Sequence, residues 1–453
     1  MTVIDEQPSV KNDPTEISKA PPKSPRRAVG IAHPPALATL ILLCPAALSS
    51  SSGASTEPSG WWRWGGPDAD FSSPFEPSRS WSEREPAVLW ERVVGGGHSS
   101  PVIGADLVYL HHGSQGSDVV EAFDRITGAT LWRQQRVSRY TAHLSRYDGP
   151  HSTPALVGDR LFVVGIDAVA RAFSAGSGAL LWTRDLIAEH DLALPQSGYA
   201  ASPAVWRDRI LLPALGRGAP GAIALEQASG RTVWQSEPFP SSHASPILIT
   251  VDGQEQAVFH GMNELVGLRP EDGGTLWRRE LRTDAADNVS FTPLWHRGRR
   301  MLVLSHRFDS TGTQAFVFPP GSGTPEPEPA WTQRRLKVEH GNGVVTDELL
   351  IASHLGSPGF LVAVELDSGA IRWRRRMPKA TLLRTGPLAL ALDELGTLHL
   401  LDPGPDAAEV LARRRLLGEG AWTVPALWRE TLYLRDATRL IAARLPRPAE
   451  TSP

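Results

Sequence analysis

A short pattern that returns eight times along the chain constrains this sequence more than any other feature. Two mostly small residues and a proline open an apolar strand, as in Ser99-Ser100-Pro101. The other copies are Ser152-Thr153-Pro154, Ala201-Ser202-Pro203, Ala244-Ser245-Pro246, Phe291-Thr292-Pro293, His340-Gly341-Asn342-Gly343, Thr385-Gly386-Pro387 and Thr423-Val424-Pro425. Proline is tolerated at the first residue of a strand. Spacings of about 40 to 50 residues between copies are typical of propellers, with one four-stranded blade for each copy.

A second recurring element is a tight turn followed by a strand that reaches a tryptophan. Thr127-Gly128 precedes Trp132 in one copy, and Ser177-Gly178 precedes Trp182 in the next. The glycine supplies the positive φ that a tight turn between strands requires. The tryptophans of the repeat are Trp90, Trp132, Trp182, Trp234, Trp277, Trp331 and Trp373, and Val410 marks the last copy. We predict a structural role for these rings, because an aromatic side chain at a blade edge buries area against the next blade's turn.

The two elements are offset along the chain, and the offset predicts a closed ring. The strand that holds Trp90 comes before the first proline triplet, whereas the last triplet is followed by no tryptophan strand. Pairing of the Trp90 strand with residues 421–445 would complete the last blade and remove two free sheet edges. An open array of repeats would instead need capping units at both ends. The sequence therefore predicts an all-β, eight-bladed β-propeller of four-stranded antiparallel blades, closed by its N-terminal and C-terminal strands.

The turn-and-tryptophan pattern resembles the PQQ-like repeat family, which includes quinoprotein dehydrogenases and the assembly lipoprotein BamB. The segments AFDRITGATLW (122–132) and AVELDSGAIRW (363–373) carry the resemblance, which covers residues 61–445. The opening residues 61–68 (WWRWGGPD) resemble the lead-in segment of members without known catalysis. The resemblance implies a non-catalytic extracytoplasmic module that binds or scaffolds a protein, a polysaccharide or a small ligand. The alternative is a PQQ-dependent alcohol or sugar dehydrogenase.

The dehydrogenase alternative implies a set of cofactor-binding residues, of which the sequence contains few. In the enzymes of the family, the quinone lies between a tryptophan and a vicinal disulfide, and Glu, Asn and Asp hold a calcium or lanthanide ion. Cys44 is the only cysteine, so a vicinal pair is absent. A hard cation needs converging oxygen ligands, and the acidic residues shortly before the triplets are few: Asp148, Asp284, Asp287 and Glu339. We expect no cofactor, and PQQ with Ca²⁺ only under the alternative.

Histidine recurs at the position three residues before each triplet proline. The residues there are His98, His151, Ala200, His243, Ser290, His340, Arg384 and Trp422, in a chain with 14 histidines. Equivalent positions of a propeller lie on one ring, so these side chains are expected to share one mouth of the channel. One hypothesis is a metal ion or anionic ligand held by His98, His151, His243 and His340 with help from Arg384. The other is that the histidines only hydrogen-bond the backbone of neighbouring blades.

The chain ends and the overall charge suggest where the propeller works. Residues 1–49 combine a polar extension with an apolar run at 36–48, which predicts a signal peptide or an uncleaved signal anchor. Residues 50–60 have the composition of a flexible linker, residues 61–445 form the propeller, and residues 446–453 are expected to be a disordered tail. We therefore expect a periplasmic or secreted protein that meets a membrane only through an uncleaved anchor. A net charge of −3 gives no indication of a nucleic-acid partner, and we expect a monomer.

Overall fold

A computed structural model gives the structure of most of the chain. The described residues are 60–140, 149–192, 194–195, 197–215, 220–281, 289–307, 310–321, 326–338, 342–354, 356 and 359–448. The predicted signal segment, nearly all of the predicted linker, the tail from residue 449 and His340 lie outside them. Across these ranges, no helix combines the length and the apolar character that a membrane crossing requires.

The described residues form eight antiparallel four-stranded sheets, which confirms the predicted all-β propeller. Two strands precede the first blade: β1 (Ser72–Ser73) and β2 (Ala87–Val93). Blades 1 and 2 contain β3 (Val102–Ile103), β4 (Leu107–Ser114), β5 (Ser117–Asp124), β6 (Thr130–Val137), β7 (Ala155–Val157), β8 (Arg160–Val164), β9 (Val169–Ser174) and β10 (Leu180–Asp185), followed by the helix α1 (Leu186–His190). Blades 3 and 4 contain β11 (Ala204–Trp206), β12 (Arg209–Pro213), β13 (Ala222–Glu226), β14 (Thr232–Gln235), β15 (Ile247–Val251), β16 (Gln254–His260), β17 (Glu264–Leu268) and β18 (Thr275–Glu280).

The second half of the ring repeats the same arrangement. Blades 5 and 6 contain β19 (Leu294–His296), β20 (Met301–Ser305), β21 (Thr313–Val317), β22 (Glu328–Gln333), β23 (Gly343–Val345), β24 (Leu349–His354), β25 (Phe360–Glu365) and β26 (Ile371–Arg376). Blades 7 and 8 contain β27 (Ala380–Thr385), β28 (Leu388–Asp393), β29 (Thr397–Pro403), β30 (Ala408–Arg415), β31 (Ala426–Trp428), β32 (Thr431–Arg435) and β33 (Arg439–Arg444). In each blade the first strand of the meander lies innermost, beside the channel.

The ring closes as predicted, because the strand of Trp90 completes the last blade. Strand β2 pairs antiparallel with β33, from Ala87 opposite Arg444 to Val93 opposite Arg439. Blade 8 therefore takes its outermost strand from the beginning of the propeller and its three inner strands from the end. Through this pairing β2 occupies the outermost position of blade 8, so that this blade also has four strands.

In three of the proline triplets the hydroxyl of the middle residue links neighbouring blades around the channel. The hydroxyl of Thr153 accepts a hydrogen bond from the backbone N–H of Ser100 in the preceding blade at 2.9 Å. Ser202 and Ser245 do the same for the N–H groups one blade back, at 3.0 and 2.8 Å. A buried backbone N–H without a partner costs free energy, which explains why Ser and Thr recur at this place.

The repeated tryptophans pack on the glycine of the next blade's turn. The Trp132 indole donates to the carbonyl of Ala175 at 2.8 Å, and its ring covers Gly178, where an added β-carbon would lie 2.6 Å from the ring. The φ of Gly178 is 72°, a value that favours glycine. Four further pairs have the same geometry: Trp90 on Gly128, Trp182 on Gly230, Trp234 on Gly273 and Trp331 on Gly369.

Two tryptophans depart from this pattern. Trp373 donates to the carbonyl of Gly404 at 2.9 Å, but its ring does not cover that glycine. For Trp277 the neighbouring sequence explains the departure. Blade 5 has the proline-rich stretch 318–330 where the other blades have a tight turn with glycine. Trp277 instead meets Phe318 edge-on at 5.6 Å and donates to the side-chain oxygen of Gln256 at 2.7 Å. Its ring covers Gly267 of its own blade, where a β-carbon would lie 2.2 Å away. A glycine within the strand thus allows the close approach that a turn glycine of the next blade allows for the other tryptophans.

The predicted triplet Thr385-Gly386-Pro387 is wrong. Gly386 and Pro387 form the hairpin turn after β27, since Thr385 pairs with Leu388. By register, Leu382 takes the place of the proline, and its backbone N–H donates to the Asn342 side chain at 3.0 Å. Proline has no N–H and could not make this bond. The last tryptophan position is also shifted, because Ala412 rather than Val410 faces β29 at the equivalent register.

The lead-in segment crosses the channel. The carbonyls of Trp61 and Trp62 accept 2.8 Å hydrogen bonds from the innermost strands of blades 1 and 2. The Trp64 indole donates to Thr292 of blade 5 at 2.9 Å. The segment then returns along blade 7, where β1 pairs in parallel with β27. We call residues 61–75 the plug, because they span the ring from blades 1 and 2 to blade 5.

Candidate functional site

The predicted histidine ring lies at the end of the channel where the innermost strands begin, which we call the upper mouth. The hairpin turns that end these strands surround the lower mouth. Pairing registers place seven described residues at the upper position, three before the triplet proline or its equivalent: His98, His151, Ala200, His243, Ser290, Lys379 and Trp422. His340 belongs to the same set by sequence and lies outside the described residues.

Two of the histidines and the tryptophan stack on one another. The rings of His98 and His151 are 4.9 Å apart and inclined by 29°. On its other side, His98 lies 5.9 Å from Trp422, with the ring planes within 9° of parallel. All three side chains are half-buried. Side chains at this repeat position therefore do meet across blades 8, 1 and 2, where they form a row of three stacked rings.

His243 occupies the same repeat position but is buried. Its Nδ1 atom lies 3.4 Å from the hydroxyl of Ser197. Burial lowers the pKa of His243 to about 4, against an ordinary value of 6.5. The imidazole is therefore neutral at physiological pH, and its Nε2 atom has no hydrogen-bond partner among the described residues. The geometry shows His243 within the wall of the channel, apart from the stacked rings.

Arg384 does not lie with the histidines, and the prediction that placed it there is wrong. It sits one residue before the end of β27, next to the turn at Gly386, so it borders the lower mouth. There its guanidinium lies 3.7 Å from the carboxylate of Asp70 in the plug. The misplacement follows from the false triplet at Pro387, and Lys379 is the residue of blade 7 at the upper position.

A buried charged network lies behind the stacked rings, between blades 1 and 2. Arg136 contacts Asp167 at 2.7 Å and Asp118 at 3.2 Å. Arg171 approaches Asp118 at 3.6 Å, and His111 lies 3.9 Å from the same carboxylate. The two arginines and two aspartates balance in formal charge. We interpret the network as an ionic link between the two blades.

Burial shifts the protonation of this network. Desolvation raises the pKa of Asp118 and lowers that of Arg171, although their mutual attraction opposes both shifts. Burial also holds the pKa of His111 well below its usual value, so this imidazole is neutral. Sequence reasoning missed the network, and its signal was the presence of Asp118 and Glu121 in the otherwise apolar strand SDVVEAFD of blade 1.

A second histidine pair was also missed. The Nε2 atoms of His260 and His306 lie 3.1 Å apart, at the upper ends of blades 4 and 5. The other ring nitrogen of His260 lies 3.1 Å from the carbonyl of Phe291. Burial holds the pKa of His260 well below its usual value. Because a carbonyl oxygen can only accept, Nδ1 of His260 donates to Phe291 and its Nε2 accepts from Nε2 of His306. Both side chains are enclosed by protein.

A quinone with its metal ion would need a cluster of converging ligands. Among the described residues, no three His, Cys, Asp or Glu side chains lie close enough together to hold a cation. The acidic residues that precede the triplets lie outside the described ranges: Asp148, Asp284, Asp287 and Glu339. The plug, moreover, crosses the channel from blades 1 and 2 to blade 5.

An apolar surface lies on the outside of the ring, and sequence reasoning missed it. Eight of the nine large hydrophobic side chains that are exposed among the described residues lie on or beside the outermost strands of blades 8, 1 and 2. They are Val88, Leu89, Val93, Ile126, Leu131, Val137, Leu180 and Leu181. Val93 is 86% exposed and Leu131 is 55% exposed. These three blades are neighbours in the closed ring, and we call this set of exposed side chains along their outer strands the apolar rim.

Blade 6 carries an arginine at the corresponding bulge position, and the outer strands of blades 6 and 7 carry several further arginines. Arg372 precedes Trp373 as Leu131 precedes Trp132, and both residues are skipped in the pairing of their strands. Further exposed arginines on these strands are Arg374, Arg376, Arg413 and Arg415. The bulge position is apolar in blades 3, 4 and 7 as well (Val233, Leu276 and Leu411), but those side chains are half-buried, so the exposed apolar residues concentrate on blades 8, 1 and 2.

Comparison with known proteins places the chain among PQQ-like propellers. The family model described as "Outer membrane protein assembly factor BamB" matches residues 116–375. The crystal structure of BamB from Moraxella catarrhalis is similar at 16% identity and a TM-score of 0.56, over 80% of this chain and 98% of that one. No curated protein sequence matches the chain.

Dehydrogenase structures share the fold to a similar degree. A europium-containing methanol dehydrogenase has 11% identity and a TM-score of 0.62, over 86% of this chain and 99% of that one. A quinohemoprotein alcohol dehydrogenase from Comamonas testosteroni has 12% identity and a TM-score of 0.59, over 88% of this chain and 82% of that one. At such identities these likenesses describe the fold alone.

Proposed function

This chain belongs to the family described as outer membrane protein assembly factor BamB, and from that premise we propose that it is a non-catalytic scaffold of the cell envelope. We propose that it binds a protein partner through the apolar rim, outside the cytoplasm. The family description supports an envelope location and a role in assembly. The rigid ring supports a scaffolding role, because a closed propeller holds surface side chains in fixed relative positions.

The observation that carries this proposal is the concentration of exposed apolar side chains on three adjacent blades. Contiguous apolar patches on soluble proteins mark interaction sites. Arg92 and Arg133 flank Leu89 and Leu131 on the same outer strands, and arginine is enriched at protein interfaces. Arg372 replaces the apolar residue at the bulge position of blade 6, so a partner could distinguish that blade from blades 8, 1 and 2.

The outer strands suggest what kind of partner segment fits. In each blade the strand pairing skips the residue before the tryptophan position, which is a β-bulge, as at Leu131. Bulges at an edge hinder the addition of a further strand. The partner therefore meets side chains more than backbone. An extended segment that alternates apolar and polar residues, as strands of outer-membrane proteins do, presents a matching apolar face.

The test measures binding of a synthetic peptide that alternates leucine and serine and carries a fluorescent label and a terminal glutamate pair. We expect it to bind the full chain, and the triple variant Leu89→Asn/Leu131→Asn/Leu181→Asn to bind at least tenfold more weakly in fluorescence anisotropy. Arg372→Asn changes the same bulge position on blade 6 and is the matched control. Equal affinity of the triple variant and the native chain would overturn the proposal. A different outcome is that the native chain binds no peptide but self-associates in light scattering, and that the triple variant does not self-associate. This outcome would assign the rim to a second copy of the chain.

The dehydrogenase alternative needs a separate measurement. Purified protein is mixed with PQQ and Ca²⁺, and quinone binding and dye-linked oxidation of alcohols and sugars are recorded. We expect neither quinone retention on gel filtration nor oxidation above the rate of PQQ alone. Stoichiometric retention with substrate-dependent dye reduction would establish an enzyme and refute the non-catalytic proposal.

A further inference from the structure

The lower mouth of the channel contains a cavity of about 470 Å³. The turn at residues 68–70 of the plug forms one side, and the lower ends of the innermost strands of blades 4, 5 and 6 form the other sides. Its size is within the range of small-molecule sites. The plug leaves this part of the channel open because its turn at Asp68 stands away from those three blades, and Arg384 of blade 7 closes the remaining side.

The cavity wall carries charges of both signs, several of them uncompensated. Asp68 and Asp347 are exposed, and no side-chain partner is found for either within the described part of the chain. Arg297 is exposed on the same wall, also with no ion-pair partner among the described residues. Asp70 and Arg384 face each other at 3.7 Å. Three carboxylates thus oppose two guanidinium groups, and this balance disfavours a strongly charged ligand of either sign.

An aromatic residue completes the wall. Trp295 lines the cavity beside His296, and Phe318 meets its ring edge-on at 5.7 Å, which fixes its orientation. The indole N–H is buried and has no hydrogen-bond partner among the described residues. His296 accepts a 3.1 Å hydrogen bond from the backbone of Arg299 through Nδ1, which fixes that ring as well. The cavity therefore joins a rigid apolar surface to carboxylates and guanidinium groups.

We propose that this cavity binds a neutral saccharide. Each sugar hydroxyl is both a donor and an acceptor, so one ring can donate to Asp347 and accept from Arg297 at the same time. The C–H face of a pyranose ring is apolar and can pack against an indole. An anion would meet three carboxylates, and a cation would meet two guanidinium groups. The site is separate from the apolar rim, so its failure leaves the protein-binding proposal untouched.

The test uses the full chain and ligand-observed saturation-transfer NMR. The probes are maltose, cellobiose and N,N′-diacetylchitobiose, with a lysine tripeptide and a glutamate tripeptide as charged comparisons. We expect at least one disaccharide to bind with a Kd near 1 mM and neither tripeptide to bind. Binding of a tripeptide in place of every disaccharide, or of no probe at 20 mM, would overturn the proposal.

Variants locate the binding. Asp347→Asn and Arg297→Gln remove exposed charges from the cavity and should each weaken the disaccharide at least fivefold. Asp208→Asn changes the equivalent inner hairpin turn of blade 3, which lies outside the cavity wall, and is the matched control. Equal affinity of Asp347→Asn, Arg297→Gln and the control would refute the assignment to this cavity. Matching thermal unfolding curves for all three variants would exclude a folding effect.

Discussion

The two mouths of the channel are built in different ways. The upper mouth is formed by equivalent residues of successive repeats, such as the stacked His98 and His151 and the hydroxyls of Thr153 and Ser202. The lower mouth is crossed by one segment, the plug, which occurs once and has no counterpart elsewhere in the chain. Symmetry therefore organises the upper mouth, whereas a single non-repeated peptide organises the lower one.

This difference means that different forces stabilise the two mouths. At the upper mouth, blades 2, 3 and 4 each supply a hydroxyl that the preceding blade needs, so the loss of one such residue affects two blades. At the lower mouth, burial of a few large side chains of the plug replaces those links. The following experiments test whether the two mouths depend on these different forces, beginning with the largest expected effect.

The largest effect is expected for Phe71→Ala at the lower mouth. Phe71 is fully buried and packs in the core cluster that includes residues of blades 4 to 7. Truncation of a buried Phe costs about 3–5 kcal/mol. Urea unfolding followed by tryptophan fluorescence should show this loss. Phe75→Ala alters a half-buried ring of the same segment and should cost less. A loss below about 1 kcal/mol for Phe71→Ala would mean that the plug is not held by burial.

The next effect concerns acid and the upper mouth. Burial lowers the pKa of His243 to about 4, whereas the unfolded chain keeps 6.5. The unfolded state therefore takes up a proton first, so stability is complete above pH 6.5 and is lost as the pH falls toward 4. By pH 5 this one group should cost about 2 kcal/mol. Urea unfolding at pH 7.5 and pH 5 measures the loss, and His243→Gln should reduce it by that amount. An unchanged difference between the two pH values would contradict the buried neutral imidazole.

Much of the upper mouth was predictable from sequence, and most of the lower mouth was not. Side chains that recur at the same position of the repeat, such as His98 and His151, are predicted to lie at the same mouth because the blades are equivalent. The repeat pattern is misleading in blade 7, because Leu382 occupies the proline position there and donates its backbone N–H to Asn342. The sequence-based prediction took Pro387 for that position, and it therefore assigned Arg384 to the wrong mouth. The plug gives no periodic signal, since its contacts with the blades join residues about 40 to 310 positions apart along the chain. The apolar rim was missed because the bulge position is apolar in most blades, and the sequence does not show that a large apolar side chain there is exposed only on blades 8, 1 and 2.

A smaller effect is expected for Ser202→Ala, which removes one link between blades at the upper mouth. The backbone N–H of Thr153 would lose its 3.0 Å acceptor while staying buried. An unsatisfied buried donor costs about 1–2 kcal/mol. Ser202→Thr keeps the hydroxyl, as Thr153 does at the same place, and should leave the midpoint of urea unfolding nearly unchanged. Equal destabilisation by both variants would point to packing rather than to the hydrogen bond.

The smallest effect is expected for Asp70→Asn at the lower mouth. Its ion pair with Arg384 spans 3.7 Å, and the two side chains are 29% and 34% exposed. Exposed pairs of this kind contribute less than about 1 kcal/mol, and asparagine can still accept the hydrogen bonds that Asp70 receives from Ser72. Urea unfolding in low salt and in 1 M NaCl should show a small difference that salt removes. A loss of unfolding free energy as large as that of Phe71→Ala would mean that charge, rather than burial, holds the plug in place. The contrast drawn between the two mouths would then be wrong.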